Sequence, residues 1–422
     1  MKIAFISQPW SFARPVIGCD SLGIWTYQVA RRLNNSTQVL YYGLRDNSYP
    51  PVYQESGIEY HGISSTFDKL WKVFRLLDRW KITDPKRPFF ASRWYGLGYI
   101  YQVAKSLRQE QCDLIHIHNF SQFAPIIKAF NPHSKIILHM HCEWSNQLDW
   151  RIINRRLQYV DLVISCSDYL TDKMSKRFPN LSNRFKTVYN GVDTEIFSNN
   201  HSFKQTKNSQ AKISKNILFV GRISPEKGLH ILVDAFKEVV KRQPNTTLTI
   251  AGPKAIVFPE FLVRLDDNPE VQKLIKFYQK SQDYLEYLKS QISPEIADKI
   301  HFTGPLNQFE LVDYYRQADL VINPSLSEAF GMSLVEAMAM EIPVIGAKAG
   351  GMPNVIEEGK VGLLAELADT ESLVQAILEL LQNDETRKVM GKAGRQRVLE
   401  LFCWDRVTEN LLDIYQDLLK YD

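Results

Sequence analysis

The chain has 422 residues, of which 45% are hydrophobic and 23% are charged, and this composition is typical of a soluble globular protein. Its length is sufficient for two domains, each with its own hydrophobic core. The 51 Lys and Arg residues only slightly outnumber the 47 Asp and Glu residues, which gives a net charge of +4. So mild an excess does not indicate a nucleic-acid-binding protein.

Three features bear on the cellular compartment. The five cysteines are scattered and form no Cys-x-x-Cys pair, which favours free thiols in a reducing cytosol over disulfide bonds or a zinc site. The apolar run at the N-terminus, Met1–Ser7, is too short for a signal peptide and predicts a first strand. No segment approaches the ~18–20 apolar residues that cross a membrane. We therefore expect a cytoplasmic protein.

Short apolar runs alternate with amphipathic helical patterns along the first half of the chain. The predicted strands are Ile3–Ser7, Gln38–Tyr42, Asp113–His116, Lys135–Met140, Asp161–Ser165 and Lys186–Tyr189. The helical patterns between them include Ile24–Leu33, Tyr95–Arg108 and Asn146–Tyr159. Such an alternation predicts an α/β fold in which a parallel sheet is covered on both faces.

The polar stretch Ser198–Lys215 has almost no apolar residues and predicts a linker, after which the alternation begins again. The strands predicted after it are Asn216–Val220, Thr247–Ala251, Ile300–Thr303, Leu320–Ile322 and Pro343–Ile345, and the helices are Gly228–Arg242, Gln308–Gln317 and Met332–Met340. We therefore expect two doubly wound, Rossmann-like domains that face each other across a cleft, since ligands bind at the carboxyl ends of such sheets.

The predicted boundaries are an N-terminal domain over residues 1–197, a linker over 198–215 and a C-terminal domain over 216–400. The segment Lys254–Ser281 does not fit a minimal alternation and is interpreted as an insertion. Residues 401–422 carry apolar side chains at helical spacing, so we expect a C-terminal helix that packs back on the N-terminal domain.

The segment from Lys69 to Tyr95 contains eight Lys or Arg residues, two acids and several aromatic residues. A basic, aromatic surface is suited to an anionic membrane, so peripheral contact with the inner membrane face through residues 69–95 is one interpretation. A packed helix followed by a proline-containing loop is the alternative that we favour.

One stretch, Glu328-Ala-Phe-Gly-Met-Ser-Leu-Val-Glu336, follows a predicted buried strand and its loop and begins a predicted helix. A glycine at the mouth of a helix lets backbone N–H groups approach a phosphate closely. A carboxylate accepts hydrogen bonds from sugar or ribose hydroxyls. The arrangement therefore suggests a nucleotide-sugar site. Two glutamates at this spacing also occur by chance, and a helical Glu336 is by default a solvated surface residue.

Two cations, Arg222 and Lys227, stand in the loop Val220-Gly-Arg-Ile-Ser-Pro-Glu-Lys-Gly-Leu229, which joins a predicted strand to a predicted helix. Arg, Lys and glycine N–H groups together are suited to hold a diphosphate and to stabilise the charge that it gains on leaving. The alternative is that both are surface cations that pair with Glu226 or Asp234.

Four of the nine histidines lie at the ends of two predicted strands, namely His116, His118, His139 and His141. Each His-x-His pair places both side chains on the same face of its strand. A metal site is one interpretation, although no structural zinc spacing accompanies the histidines. We favour a strand-end histidine that donates to a sugar hydroxyl or an oxyanion.

Four motifs occur in an order that resembles the retaining glycosyltransferases of family four, which have the GT-B fold. They are Asn190-Gly-Val-Asp193, Gly221-Arg222 with Glu226-Lys227-Gly228, Glu328 with Glu336, and Gly350-Gly-Met-Pro353. The resemblance extends over nearly the whole chain, and the motifs are specific as a set rather than singly.

The resemblance implies a role for each matching residue. Arg222 and Lys227, beside Gly221, resemble the pair that holds the donor diphosphate, while Glu336 resembles the acid that binds the ribose hydroxyls. Glu328 resembles the acid placed near the donor sugar, and His141 resembles the first-domain histidine near the reacting centre. Backbone groups complete the implied site, with the N–H groups of Phe330, Gly331 and Met332 around sugar and phosphate, and the backbone near Leu306 around the base.

Two positions depart from the family pattern. The family usually carries Gly-Gly in the loop after the first strand, where the backbone approaches the donor phosphate, whereas this chain has Asp20-Ser21 there. Gly23, two positions further on, is the remaining candidate for a bare backbone at this loop. The second departure is Cys142-Glu143 after His141, where the family commonly has an aspartate.

The resemblance implies a metal-independent glycosyltransferase that needs no cofactor and moves a sugar from a UDP-, GDP- or ADP-sugar to a hydroxyl acceptor on a glycan, a glycolipid or a small metabolite. A nucleotide-sugar epimerase or phosphorylase of the same fold and a non-catalytic sugar-binding protein are the alternatives. A dinucleotide-dependent dehydrogenase is disfavoured, because no G-x-G-x-x-G follows the first strand.

Overall fold

The computed structural model describes residues 1–15, 21–34, 37–64, 68, 84–199, 214–255, 258–279 and 283–420. The chain forms two compact units, Met1–Tyr189 with Trp404–Asp422, and Asn190–Cys403. Residues 190–197 therefore belong to the second unit, whereas the sequence pattern placed them in the first. They are tied to the second unit by Arg395, whose guanidinium donates to the carbonyls of Thr194 and Phe197.

The described part of the first unit contains an eight-stranded sheet in the order β3-β4-β2-β1-β5-β6-β7-β8. Its strands are β1 (Lys2–Ile6), β2 (Gln38–Leu44), β3 (Val52–Glu55), β4 (Ile58–Ile63), β5 (Leu114–His118), β6 (Lys135–Met140), β7 (Leu162–Ser165) and β8 (Phe185–Thr187). All neighbouring strands pair in parallel except the edge strand β3, which is antiparallel to β4. The expectation of a purely parallel sheet was therefore wrong at this edge.

The helices of the first unit connect these strands. They are α1 (Ser21–Leu33), α2 (Leu97–Glu110), α3 (Ala124–Phe130), α4 (Trp144–Gln147), α5 (Trp150–Leu157) and α6 (Asp168–Arg177). The single helix predicted over 146–159 was wrong, because the chain breaks at Leu148 and restarts where the Asp149 carboxylate accepts from the Ile152 N–H at 3.0 Å. Carboxylates at this position stabilise the first turn of a helix.

The described part of the second unit has a six-stranded parallel sheet in the order β11-β10-β9-β12-β13-β14. Its strands are β9 (Lys215–Val220), β10 (Thr246–Ala251), β11 (Ile300–Gly304), β12 (Leu320–Asn323), β13 (Val344–Ala347) and β14 (Gly362–Ala365). Its helices are α7 (Leu229–Arg242), α8 (Pro269–Gln272), α9 (Ile275–Gln279), α10 (Tyr284–Ser290), α11 (Gln308–Gln317), α12 (Met332–Ala339), α13 (Met352–Val355), α14 (Thr370–Gln382) and α15 (Asp384–Arg397).

Each sheet reverses its strand order at its centre, between β1 and β5 in the first unit and between β9 and β12 in the second. Such a reversal is the topological switch point of a doubly wound fold, where loops leave adjacent carboxyl ends in opposite directions and open a crevice. The fold confirms two α/β units with mainly parallel sheets. The loops after β9 and β12, and those after β1 and β5, therefore lie where ligands bind in folds of this type.

The segment that the sequence pattern treated as an insertion is part of the second unit's fold. Its described residues form α8 and α9, and Val263, Val271 and Phe277 are buried in the hydrophobic core of that unit. Most of the predicted linker (200–213) and more than half of the basic, aromatic segment (69–83) lie outside the described residues.

The last helix, α16 (Trp404–Lys420), packs against α1 in the first unit. Leu411 and Tyr415 are fully buried in the core of this unit, and Arg32 of α1 donates to Asp405 at 2.6 Å. A short π-helical segment, Val398–Phe402, precedes it.

Among the described residues, no helix is both long enough and apolar enough to cross a bilayer. The described cysteines Cys112, Cys142, Cys166 and Cys403 carry free thiols.

The burial of α16 predicts a large stability effect for Leu411→Ala. Removing a fully buried leucine side chain should lower the free energy of unfolding of the first unit by about 2–5 kcal/mol, because the cavity that remains cannot be filled completely. Hydrogen exchange should show faster exchange in β1 and β5 and unchanged exchange in β9 and β12. The matched control, Gln416→Ala, alters an exposed residue of the same helix and should leave both units unchanged. Equal exchange rates in Leu411→Ala and the wild type would contradict this packing.

Candidate functional site

The loops that leave β9 and β12 meet at the switch point of the second unit. The ammonium group of Lys227, from the first loop, donates to the carboxylate of Glu328, from the second, at 2.7 Å. Both side chains are 16% exposed, so the pair is largely withdrawn from water. The sequence pattern placed these two residues at one sheet edge, and the structure brings them into direct contact.

Two glycines allow this contact by removing side chains from the path of a neighbouring backbone. A Cβ at Gly228 (φ +68°) would lie 2.1 Å from the carbonyl oxygen of Pro324, and a Cβ at Gly350 (φ +53°) would lie 1.8 Å from that of Glu328. The N–H of Gly351 donates to the same Glu328 carbonyl at 2.9 Å. Any other residue at these positions would push the loops apart, which explains why the motifs contain glycine.

The surroundings of Glu328 favour its charged form. Burial alone would raise its pKa, but the Lys227 ammonium, the N–H of Phe330 and the side chain of Asn323 together hold that pKa below its ordinary value. Glu328 is therefore an ionised acceptor of hydrogen bonds at neutral pH. Asn323 is a positioning residue that sequence reasoning missed, since an asparagine at the end of a strand carries no distinguishing pattern.

Arg222 has a different environment from Lys227. Its guanidinium lies 3.3 Å from the buried carboxylate of Glu226, which also accepts from the Ser224 hydroxyl at 2.6 Å. The Arg222 side chain is 45% exposed. The alternative interpretation, pairing with Glu226, therefore holds for Arg222 but not for Lys227. A half-exposed guanidinium keeps donors on its open side that can reach a ligand.

Two of the backbone N–H groups expected to face a ligand are already engaged. The N–H of Gly221 donates to the carbonyl of Ala251 at 2.9 Å, and that of Phe330 donates to the Glu328 carboxylate. The Phe330 ring is buried and packs edge-on against Phe402, with ring centroids 5.5 Å apart. These residues shape the loop rather than offer donors in this conformation.

The remaining candidates in the second unit lie around the start of α12 and the end of β11. Gly331 precedes α12 and Met332 begins it, and no side chain caps this end of the helix by a hydrogen bond. Leu306 follows β11 and is partly exposed. All three stand at the carboxyl edge of the same sheet.

Glu336 projects from α12 toward α11. The hydroxyl of the fully buried Tyr315 donates to its carboxylate at 2.6 Å. Burial raises the pKa of Glu336 to about 7, although the Tyr315 hydrogen bond opposes this increase. Glu336 is thus not the solvated surface residue that a helical glutamate is by default. Tyr315 was missed by sequence reasoning, because its contact with Glu336 joins two helices that are separated along the chain.

In the first unit, four histidine side chains form one cluster at the ends of β5 and β6. Nε2 of His116 lies 3.1 Å from Nδ1 of His139, and Nδ1 of His118 lies 3.0 Å from Nε2 of His141. The Trp25 ring packs against them and lies 4.7 Å from His139, centroid to centroid. Burial, helped by the neighbouring histidines, holds the pKa of His116, His118 and His139 well below the ordinary value. These three rings are therefore neutral at neutral pH.

The hydrogen bonds around His118 determine the proton positions in this part of the cluster. The Thr26 hydroxyl donates its only proton to the Leu22 carbonyl at 2.9 Å, so it accepts from Nε2 of His118 at 3.2 Å. Nδ1 of the neutral His118 is then an acceptor, and Nε2 of His141 donates to it. In its neutral form His141 consequently carries an unprotonated Nδ1, which is an acceptor.

The rest of the cluster reaches α16, where the Tyr415 hydroxyl lies 2.5 Å from Nδ1 of His116. Nitrogen atoms of His116, His118 and His139 lie within 4.8 Å of one another. The described hydrogen bonds use nitrogens of all three rings, and Nε2 of His139 is buried without a partner in the described residues. The cluster thus consists of two hydrogen-bonded pairs, His116 with His139 and His118 with His141, whose rings contact one another.

The loop after β1 contains the departure from the family pattern that concerns glycine, Asp20-Ser21. Asp20 lies outside the described residues, while Ser21 is the first residue of α1. Gly23 is buried within the first turn of α1, so it belongs to the helix rather than to the loop in which it was expected.

Comparison with known families accounts for most of the chain. Residues 200–397 match the model described as glycosyl transferases group 1, and residues 52–196 match the model described as glycosyltransferase family 4. The two matches lie side by side and include every candidate residue described above except Gly23.

Individual relatives and solved structures are similar over similar lengths. The lipopolysaccharide 1,2-N-acetylglucosaminetransferase of Salmonella typhimurium is 27% identical, over 97% of this chain and 96% of its own. Spore coat protein SA of Bacillus subtilis is 28% identical, over 75% and 82%. The sucrose-phosphate synthase structure from Thermosynechococcus elongatus superposes with a TM-score of 0.74 at 18% identity, over 100% of both chains. The Anabaena HepE structure in complex with UDP has a TM-score of 0.67 at 20% identity, over 99% and 100%.

The raised pKa of Glu336 predicts a pH-dependent gain in stability for Glu336→Gln. The folded pKa is about 7 and the ordinary value is 4.5, so ionisation of Glu336 increasingly opposes folding as pH rises through this interval. Allowing for its partial exposure, the variant should be about 1–3 kcal/mol more stable than the wild type at pH 8 and no more stable at pH 4. Chemical denaturation at both pH values measures this difference. Glu379→Gln, at an exposed position of α14, is the matched control, and an equal Glu336→Gln effect at both pH values would refute the assignment.

Proposed function

Because this chain belongs to the group 1 and family 4 glycosyltransferases, we propose that it is a retaining enzyme that moves a sugar from a nucleotide-diphosphate sugar to a hydroxyl acceptor. One observation carries the proposal, which is the contact of Lys227 with Glu328 at the switch point of the second unit. A cation for the phosphates and an ionised acid for the sugar are thereby placed side by side at the carboxyl edge of a sheet.

The donor is proposed to bind in the second unit. Solved structures with a similar fold are described as complexes with UDP and with UDP-glucose, which supports a nucleotide-sugar donor for this chain. UDP, GDP and ADP are all retained as donor nucleotides, and Leu306 is proposed to lie beside the base. Met332 and Gly331, at the start of α12, are proposed to approach the phosphates, since the first N–H groups of a helix favour anions.

In the proposed reaction, the bond between the anomeric carbon and the diphosphate oxygen breaks while the acceptor oxygen forms a new bond to the same face of that carbon. The acceptor proton passes to a phosphate oxygen of the leaving group, so charge and atoms balance. Arg222 and Lys227 stabilise the charge that grows on the diphosphate, which is the role that a metal ion has in other transferases. The reaction is therefore proposed to need neither a metal nor a cofactor.

The two glutamates are proposed to have separate roles. Glu328 is ionised and already accepts from Lys227 and from the Phe330 N–H, so we assign it to orient a donor-sugar hydroxyl rather than to attack the anomeric carbon. Glu336 is assigned to accept from the ribose hydroxyls. Since accepting two such bonds requires the ionised form, the affinity for the nucleotide should increase as pH rises through about 7.

For His141 we propose that the unprotonated Nδ1 accepts from a sugar hydroxyl. His118 and Thr26 act through it as positioning residues, because their hydrogen bonds determine which ring nitrogen of His141 carries the proton. Gly23 and Gly221 are proposed to matter through close backbone approach rather than as donors.

Arg222→Ala and Lys227→Ala test the proposed phosphate roles. Each should lower the turnover number by ~10²-fold or more, because the leaving charge loses a preorganised cation. Sugar transfer to a hydroxyl acceptor, followed by mass spectrometry, measures the loss. Lys237→Ala is the matched control, since Lys237 lies on α7 and pairs with Asp234 away from the loop. Near-normal transfer by both variants would refute the assignment.

Removing Lys227 also leaves the Glu328 carboxylate without its partner, which can by itself disturb the loop. A double variant, Lys227→Met with Glu328→Gln, removes both charges and should fold with normal stability while remaining inactive. Incubation with donor alone distinguishes the alternatives, because an epimerase converts the donor without an acceptor and a non-catalytic binding protein leaves it unchanged.

The stereochemical and metal predictions are tested together. Proton NMR of the first product should show the same anomeric configuration as the donor, and addition of EDTA should leave the rate unchanged. Inversion at the anomeric carbon would contradict the retaining mechanism. A rate that EDTA abolishes and a divalent cation restores would contradict metal independence.

A further inference from the structure

A cavity of about 680 Å³ lies within the first unit, away from the histidine cluster. It is bordered by the segment from Arg87 to Leu97, by the start of α3 and by α5. Its walls are largely apolar, formed in part by Pro88, Ala91, Leu97, Pro125, Ile126 and Ile152. A volume of this size is within the usual range, roughly 300–1,000 Å³, of small-molecule sites. None of its lining residues is among those proposed to bind the donor.

A buried positive charge, Arg156, forms part of this cavity. Its guanidinium donates to the Ser121 hydroxyl at 3.2 Å and to the Ala91 carbonyl, both of which are neutral groups. Burial lowers the pKa of Arg156 to about 10, so the side chain still carries its charge at neutral pH. No carboxylate pairs with it in the described part of the chain. Buried charges are normally paired, so among the described residues this guanidinium lacks the counter-ion that its burial favours.

Two further arginines at the cavity are also without a carboxylate partner among the described residues. Arg93 lies over the Trp94 ring, 4.6 Å from its centroid, and Arg155 is exposed on α5. Arg87, by contrast, pairs with Asp149 at 2.9 Å. No Asp or Glu is among the described residues that line the cavity. Positive charge therefore accumulates on one side of an apolar space.

The Ser92 hydroxyl is a second indication of a ligand. Its oxygen is buried at the cavity, and in the described residues it has no hydrogen-bond partner. Buried hydroxyl groups in folded proteins are nearly always hydrogen-bonded. A hydroxyl without a partner, at a cavity with three guanidinium groups that no described carboxylate pairs with, therefore marks a place for an acceptor atom. Guanidinium groups match the oxygens of a phosphate particularly well.

We propose that this cavity binds an anionic amphiphile, whose phosphate group contacts Arg93, Arg155 and Arg156 while its hydrocarbon part lies along the apolar walls. The Ser92 hydroxyl donates to the same phosphate. The identification of this ligand as the acceptor of the sugar rests on the proposed function. The existence of the anion site rests only on the cavity and its charges.

Calorimetric titration of the full chain with decyl phosphate, below its critical micelle concentration, tests the site. The double variant Arg93→Gln with Arg155→Gln should bind about tenfold more weakly or worse, because two charged hydrogen bonds are lost. Ile126→Trp, which fills the cavity without altering charge, should also weaken binding. Arg151→Gln is the matched control, since Arg151 is exposed on α5 but does not line the cavity.

Two comparison ligands separate the contribution of the phosphate group from that of the hydrocarbon chain. Decyl maltoside has the same chain without the anion, and inorganic phosphate has the anion without the chain, so each should bind at least about tenfold more weakly than decyl phosphate. Equal affinity of the wild type and the double variant for decyl phosphate would overturn the proposal, as would equal affinity for decyl maltoside.

Vesicles identify the source of the phosphate. Retention on phosphatidylglycerol vesicles that the double variant loses assigns the site to a lipid headgroup at a membrane surface. Binding of dissolved decyl phosphate that such vesicles do not compete assigns it to a dissolved acceptor. Lys227→Ala should bind decyl phosphate as tightly as the wild type, so a failure of sugar transfer and a failure of this site are distinguishable.

Discussion

The contact between Lys227 and Glu328 is the interaction on which the proposed donor site depends. Two charges that are largely withdrawn from water are stable only if each compensates the other, and removal of one partner leaves the other uncompensated. The loops can approach closely enough for this contact because Gly228 and Gly350 carry no side chain where a neighbouring backbone passes. The ion pair therefore depends on the two glycines as well as on the two charged residues.

In the first unit, buried polar side chains also depend on partners, but these side chains are neutral. There the polar groups are histidine rings, and burial keeps three of them uncharged. Neighbouring side chains satisfy their nitrogens, except for Nε2 of His139, which has no partner among the described residues. A chain of such bonds transmits the position of one proton to the next ring. Thr26 in this way influences His141, although among the described residues its hydroxyl hydrogen-bonds to His118 and the Leu22 carbonyl rather than to His141 itself. Buried polar networks of this type hold side chains in one arrangement.

Most of the fold could be predicted from the sequence because parallel strands that are buried on both faces appear as short apolar runs. The strand β6 was predicted with its observed bounds, and β12 within one residue. The edge strand β3 was missed because its residues are mostly exposed, and the break before α5 was missed because the cap at Asp149 interrupts a continuous apolar pattern. Local propensity alone does not reveal either feature.

The residues of the candidate site that belong to sequence motifs could be predicted, whereas the others could not. Lys227 and Glu328 stand in two recognisable loops, but their contact with each other depends on the order of strands in the sheet. Tyr315 and Asn323, which set the environment of the two glutamates, have no motif of their own. The Gly221 and Phe330 N–H groups were assigned to a ligand, although the Ala251 carbonyl accepts from the first and the Glu328 carboxylate from the second. Whether an N–H group donates to a ligand or within the protein depends on tertiary contacts, which the sequence alone does not show.

Nucleotide binding to the second unit tests the central claim most directly. A ligand that binds only the folded protein raises its melting temperature, so thermal unfolding is followed with UDP, GDP and ADP, each at about 100 times its dissociation constant or at saturation. At least one nucleotide should raise the melting temperature of the wild type, and the increase should be much smaller in Lys227→Ala and in Glu336→Ala. No increase with any of the three nucleotides, or an equal increase in both variants, would contradict the account.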